Sequence, residues 1–189
     1  MLREQDDLET VGQLLTTGKV ILCPTDTIWN LCCNAFNEHA VNKLIQIKGG
    51  LEHKQLSLLV HSVEQLKRYI VSIHPRIETL LAFYERPLTV LYDNTKNNIA
   101  HLRNKNGQVA IRITQDPYLK DLIEQLGKPI LATGAHINKS KYPPTFEDIN
   151  HDIRDAADYV FWSGRFVKDR QIPSLLISYN EDGELIFLR

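Results

Sequence analysis

The chain has no apolar run approaching the roughly 20 residues that a membrane-spanning helix needs. It has no excess of either charge: 22 Lys+Arg stand against 23 Asp+Glu, for a formal net charge of −1. The first absence argues against a helical membrane span. The second argues against a uniformly basic nucleic-acid coat, although a local basic cleft is compatible with the same total. Cysteine is scarce. Cys23, Cys32 and Cys33 are an odd set, two of them adjacent, in apolar segments without the spacing of a disulfide framework, and they read as small buried hydrophobes. Neither CxxC nor HExxH occurs and the 7 histidines are scattered, so a metal held wholly by side chains is not expected. Repeats, low-complexity tracts and linker-like Pro/Gly/Ser stretches are missing as well. The 189 residues are therefore expected to form one domain over 1–189, long enough to bury a core without disulfides or structural metal. The polar start Met1-Leu2-Arg3-Glu4-Gln5-Asp6-Asp7 is unlike a signal peptide, which predicts a cytoplasmic location.

What is there is an alternation of helical and strand periods. Leu8, Val11, Leu14 and Leu15 recur at helical spacing before Gly18, and Val20-Ile21-Leu22-Cys23 is too short and apolar for anything but a buried strand. Asn37 can cap a helix whose apolar face is Ala40, Val41, Leu44 and Ile45, running out at Lys48-Gly49-Gly50. Residues 55–60 read as a strand, and Ser62-Val63-Glu64-Gln65 as a capping box that opens a helix to about Tyr69. A helix after Pro75, strands at 88–92 and 108–113, a helix opened by Asp116-Pro117 and closed by Gly127, and a strand at 129–133 follow. A weaker helix at 146–155 and short strands near 159–161, 174–178 and 184–188 end the series. About seven strands with helices between them make an α/β domain on a twisted, mixed parallel/antiparallel sheet flanked by helices.

In open α/β sheets ligands bind where loops leave strand ends, and four such places carry polar residues. Pro24-Thr25-Asp26-Thr27 could orient a small polar substrate or could satisfy its own backbone as a hydroxyl or Asx turn. Lys48 and Lys54 flank a glycine pair after a helix, where they could complement the helix C-terminus or close over phosphates. Arg112 lies inside the apolar strand Val109-Ala110-Ile111-Arg112-Ile113 and needs a partner, either a ligand carboxylate or an internal acid such as Asp26. Thr133-Gly134-Ala135-His136 directly follows a strand and could hold phosphate oxygens through N–H groups and a hydroxyl, or be a turn with a surface histidine. None of these is a Walker loop or a dinucleotide fingerprint.

At these four loops the sequence resembles the YrdC-like family of L-threonylcarbamoyladenylate synthases. The resemblance covers nearly the whole chain. It rests on Pro24-Thr25-Asp26-Thr27-Ile28-Trp29, where the family has P-T-[DE]-T-x-[YWF]-G-L, and on Ala40-Val41 through Ile47-Lys48. Pro87-Leu88-Thr89, the Arg112 strand, Gly127-Lys128-Pro129-Ile130 and Pro173-Ser174-Leu175 follow in the same order. It implies a nucleotidyltransferase that joins threonine, bicarbonate and ATP, with Mg2+, and releases pyrophosphate, making the activated intermediate for threonylcarbamoyladenosine in tRNA. No tightly bound cofactor is implied. Lys48 and Arg112 would be catalytic. Thr25, Thr27, Lys54, Thr133, His136 and Ser174 would bind substrate: Thr27 beside Arg112 at threonine, Lys54 with Lys48 at the phosphates, Thr133 and Ser174 at the nucleotide.

The loops depart from the family pattern. Its K-x-R-P stretch reads Lys48-Gly49-Gly50-Leu51 here, and its S-T-S-A-N-x-S-G loop reads Ala132-Thr133-Gly134-Ala135-His136-Ile137-Asn138-Lys139. The glycine of the first motif is Asn30. Each lost transition-state contact typically costs about 2–4 kcal/mol unless replaced. The alternative reading is therefore a catalytically weakened paralogue that binds nucleotide, threonine or RNA. A tRNA or double-stranded RNA would draw on Lys43, Lys48, Lys54, Arg103, Lys105, Lys139 and Lys141 around a concave face.

Overall fold

The computed structural model describes residues 6–50, 56–137, 142–167, 172–180 and 182–189. Helix α1 (Leu8–Thr16) starts where the Asp7 carboxylate accepts from the Thr10 N–H at 2.9 Å, and it delivers the chain to β1 (Ile21–Cys23). After the turn at 24–29 comes β2 (Asn30–Asn34), a strand that the sequence pattern does not predict. Asn37 caps α2 (Glu38–Ile47) through its side-chain oxygen, which accepts from the Ala40 N–H at 3.0 Å. The helix ends in a Schellman turn, with the Gly49 N–H on Gln46 O and the Gly50 N–H on Ile45 O, both glycines at positive φ.

Strand β3 (Ser57–Val60) leads to a one-turn helix α3 (Val63–Leu66), capped by Ser62 as expected but shorter than the predicted run to Tyr69. Then come α4 (Pro75–Phe83), β4 (Leu88–Tyr92), a 3-10 turn (Asn97–Leu102) and β5 (Val109–Ile113). Helix α5 (Pro117–Leu126) has the predicted Asp116 cap and proline start, and Gly127 closes it in the left-handed conformation. Strand β6 (Ile130–Gly134), a short α6 (His151–Ala156), β7 (Tyr159–Val160), β8 (Leu175–Tyr179) and β9 (Leu185–Phe187) complete the described elements.

The described strands form one nine-stranded sheet in the order β7-β1-β2-β6-β3-β5-β4-β8-β9. The pairs β1/β7, β3/β5 and β4/β8 are parallel and the other five antiparallel, so the sheet is mixed as expected. Strands from both halves of the sequence interleave: β1 sits between β2 and β7, and β6 between β2 and β3. The inner strands are buried along nearly their whole length, which is why they read as unbroken apolar runs. Among the described residues, no helix is long and apolar enough to cross a membrane.

Candidate functional site

Small residues fall at neighbouring positions on one face of the sheet, and there the sheet has a hollow instead of a packed core. Ser57 of β3 is paired with Ala132 of β6, and Asn30 of β2 with Gly134. Beside them Arg112 of β5 lies opposite Thr89 of β4, which in turn lies opposite Leu176 of β8. A cleft of about 290 Å³ opens over this floor, walled by Thr27, Thr133, His136, Tyr142, Ser174 and Arg189.

The turn before β2 is tied by hydroxyls. Thr25 Oγ1 donates to Ile28 O at 2.8 Å and lies 2.9 Å from Thr27 Oγ1, while Asn30 Nδ2 donates to Ile28 O at 2.7 Å and to Thr25 Oγ1 at 3.1 Å. The asparagine at the family's glycine position thus stitches the turn. Arg112 reaches it from β5: its Nη1 donates to Thr27 Oγ1 at 2.8 Å and pairs with Asp26 Oδ1 at 3.2 Å. Asp26 is itself held by the Thr114 hydroxyl at 3.2 Å and the Gln115 N–H at 2.9 Å. Burial lowers the Arg112 pKa and Asp26 offsets part of that effect. The rest of the guanidinium fork has no hydrogen-bond partner among the described residues and lines the cleft. Both partners that the sequence allowed for Arg112 are therefore compatible with one geometry, with Asp26 on one arm and cleft space at the others.

Lys48 is at the end of α2 with no exposed surface, and it does not line the cleft. Its Nζ donates to Gly134 O at 2.7 Å and also to His136 O, so the ammonium staples the helix end to the loop after β6. Burial pushes its pKa down to about 8. Above that staple the His136 ring meets Tyr142 edge-on at 4.6 Å. Arg189 donates to the Tyr142 hydroxyl and lies over its ring at 5.6 Å, and its Nε donates to Ser174 O at 3.3 Å. Ser174 Oγ lies 2.7 Å from Thr89 Oγ1. Thr133 Oγ1 and His136 Nδ1 are buried without a hydrogen-bond partner among the described residues, and both side chains line the cleft.

The structure thus brings Thr27, Arg112, Thr133, His136 and Ser174 together. Thr25 lies beneath the turn and lines an adjoining hollow of about 300 Å³ with Asp26, Arg86 and Pro87. Lys54, with Lys139 and Lys141 of the proposed basic face, lies outside the described residues. Of the others named for RNA, Lys43 pairs with Asp158 at 2.6 Å, Arg103 donates to Thr95 and Lys48 is buried. Sequence reasoning missed Ser57, Tyr142 and Arg189. Ser57 was visible as the polar residue opening an apolar strand. Arg189 carried no local signal, because its place depends on Leu188 and Arg189 continuing the β9 pairing alongside Leu176.

Among the described residues no three His, Cys, Asp or Glu come together, and the cleft-edge carboxylate Asp26 is already engaged.

A family profile described as "Telomere recombination", that of Sua5, YciO and YrdC, matches residues 13–189. A threonylcarbamoyl-AMP synthase of Saccharophagus degradans is 33% identical over 123 residues, which is 65% of this chain and 64% of that enzyme. Escherichia coli YciO superposes with a TM-score of 0.82 at 19% identity, covering 96% of this chain and 87% of its own. Pyrococcus abyssi Sua5, solved in complex with L-threonine, has a TM-score of 0.75 at 23% identity over 96% of this chain. This chain spans 53% of that longer protein. At those identities the two structures establish the fold.

Proposed function

The chain belongs to the Sua5–YciO–YrdC family, and we propose that it is a threonylcarbamoyl-AMP synthase supplying the activated intermediate for threonylcarbamoyladenosine in tRNA. In that reaction the threonine amine forms a C–N bond to the carbon of bicarbonate, a C–O bond breaks and water leaves, giving a carbamate. A carbamate oxygen then displaces pyrophosphate from the α-phosphorus of ATP. The observation that carries the reading is Arg112, buried, anchored by Thr27 and Asp26 through one arm and lining the cleft with the remaining donors of its fork. A planar fork fits a carboxylate, so Arg112 and Thr27 hold the threonine carboxylate. Thr133, His136 and Ser174 face the nucleotide, and the ATP phosphates would carry the magnesium with them. Lys48 acts from behind, by fixing the carbonyls of the loop that bears Thr133 and His136. Residues 1–189 function as one domain in this reading, with one sheet supplying the cleft floor and its loops most of the walls. Closing substrates into a small hollow keeps water from the labile carbamate.

The test is pyrophosphate release. It should require ATP, threonine and bicarbonate together and fall to background when any one is omitted. One observation favours the second reading, a weakened paralogue: Lys48 is committed to protein carbonyls, and the family's arginine position is Gly50. ATP binding in a titration without threonine-dependent pyrophosphate release would establish that second reading. Salt-sensitive binding of tRNA to the same protein would extend it to RNA.

A further inference from the structure

His136 stands where the family has asparagine, and its surroundings are unusual for a histidine. The ring folds back over Gly134 so closely that a Cβ there would lie 2.9 Å from Nδ1. That Nδ1 is buried without a partner among the described residues. Among the described residues, the charged and titratable groups facing the ring are Lys48 from the end of α2, Arg189 from beyond β9, and Tyr142 against the ring itself. Among the described residues no carboxylate forms an ion pair with His136. An imidazole between two cations stays neutral until a negative charge arrives next to it.

Resting on the reading of the cleft as an ATP site, we propose that His136 takes up a proton when a phosphate-bearing ligand enters, and so becomes an on-demand cation beside that ligand. The proton comes from solvent and goes to the free ring nitrogen. No heavy-atom bond changes. The device supplies a positive charge that the Gly49–Gly50 turn cannot, because Gly50 at φ +85° disfavours any L side chain. Burial, then Lys48 and Arg189, push the His136 pKa down to about 4 in the free protein, which leaves room for a large upward shift on binding.

Isothermal titration of ATP at pH 6, in two buffers of different ionisation enthalpy, measures the protons taken up. The native chain should take up about half a proton or more per ATP beyond what the His136→Asn variant does. Subtracting the variant removes protonation of ATP itself and of Lys48. Adenosine, which has no phosphate, should give no such difference. Between pH 5 and 7 ATP affinity should weaken with rising pH, by at most about tenfold per unit, and more steeply in the native chain than in the variant. If His136→Asn does not fold, His136→Gln takes its place. The imidazole resonances of native His136 followed by NMR also decide the matter, since they should move to imidazolium positions when ATP is added at pH 6. Equal proton uptake by the native chain and the variant with ATP bound, the same extra uptake with adenosine as with ATP, or a ring that stays neutral overturns this inference alone. Failure of the native chain to bind ATP overturns it together with the function proposed above.

Discussion

Arg112 and Gly134 show how much a single position decides here. Arg112→Lys keeps a charge for Asp26 but loses the planar fork, so one ammonium must serve both Thr27 and the cleft. Threonine affinity, measured by titration calorimetry, should fall about 10- to 100-fold, the equivalent of one charge-assisted contact of about 1.5–3 kcal/mol. Normal threonine binding by this variant would remove Arg112 from the site. Gly134→Ser restores the residue type of the family loop, yet its Cβ would meet His136 and Ile28 Cδ1, each at 2.9 Å. Alone it should cost about 1–3 kcal/mol in denaturant unfolding as overpacking. Together with His136→Asn it should cost clearly less, because the ring that fills the space is gone, and strict additivity in that double-mutant cycle would refute the coupling. The two family departures are thus one change in two places: the histidine needs the glycine.

Helix α2 bears on the site through its C-terminal end, where Lys48 ties it to the loop after β6. Asn37→Ala removes the acceptor for the Ala40 N–H and should lower stability by about 1 kcal/mol in a denaturant titration. At the other end, Gly50→Arg would put a side chain into open space but onto a left-handed backbone, at about 1–2 kcal/mol. Much of this was legible in the sequence. The Asn37 and Asp116 caps, the glycine stops after α2 and α5, and the apolar runs of β1, β3, β5 and β6 follow from local rules, and the structure has them all. Strand β2 was not legible, because Asn30-Leu31-Cys32-Cys33-Asn34 has amides at both ends and no period-two pattern. It is a central strand, buried by β1 and β6 on either side, and its Asn30 amide serves the preceding turn. In the site, residues carried by the recognisable loops were legible. Tyr142 and Arg189 were not, since tertiary contact brings them in, and neither was the inward course of Lys48 to two carbonyls, whereas Ser57 had the weak signal of a polar residue opening an apolar strand.

For the molecule as a whole, the buried basic groups in and behind the cleft tie stability to pH. His136 ionises near 6.5 when unfolded and at about 4 when folded, so between those values the unfolded chain binds more protons. Stability therefore rises as pH rises through that window. Asp6 and Asp158, whose pKa values lie below the usual carboxylate range, act in the same direction at lower pH. The melting temperature should climb from pH 4 to 6.5, and His136→Asn should flatten that climb; an unchanged slope would mean the ring is not buried as described. Lys48, pushed down to about 8 from an ordinary 10.5, adds a second rise between those two values that Lys48→Met should abolish. The strand order has a further consequence, in time rather than in energy. Because β2 pairs with β6 about a hundred positions later, and β1 with β7 later still, the cleft floor closes only after distant stretches of chain have met. Early collapse can form local pairs such as β8 with β9, but none of these makes a pocket. Such distant pairing folds slowly, on the order of milliseconds to seconds. In a refolding experiment, competence to bind ligand should therefore emerge with the slowest phase, well behind the recovery of helix.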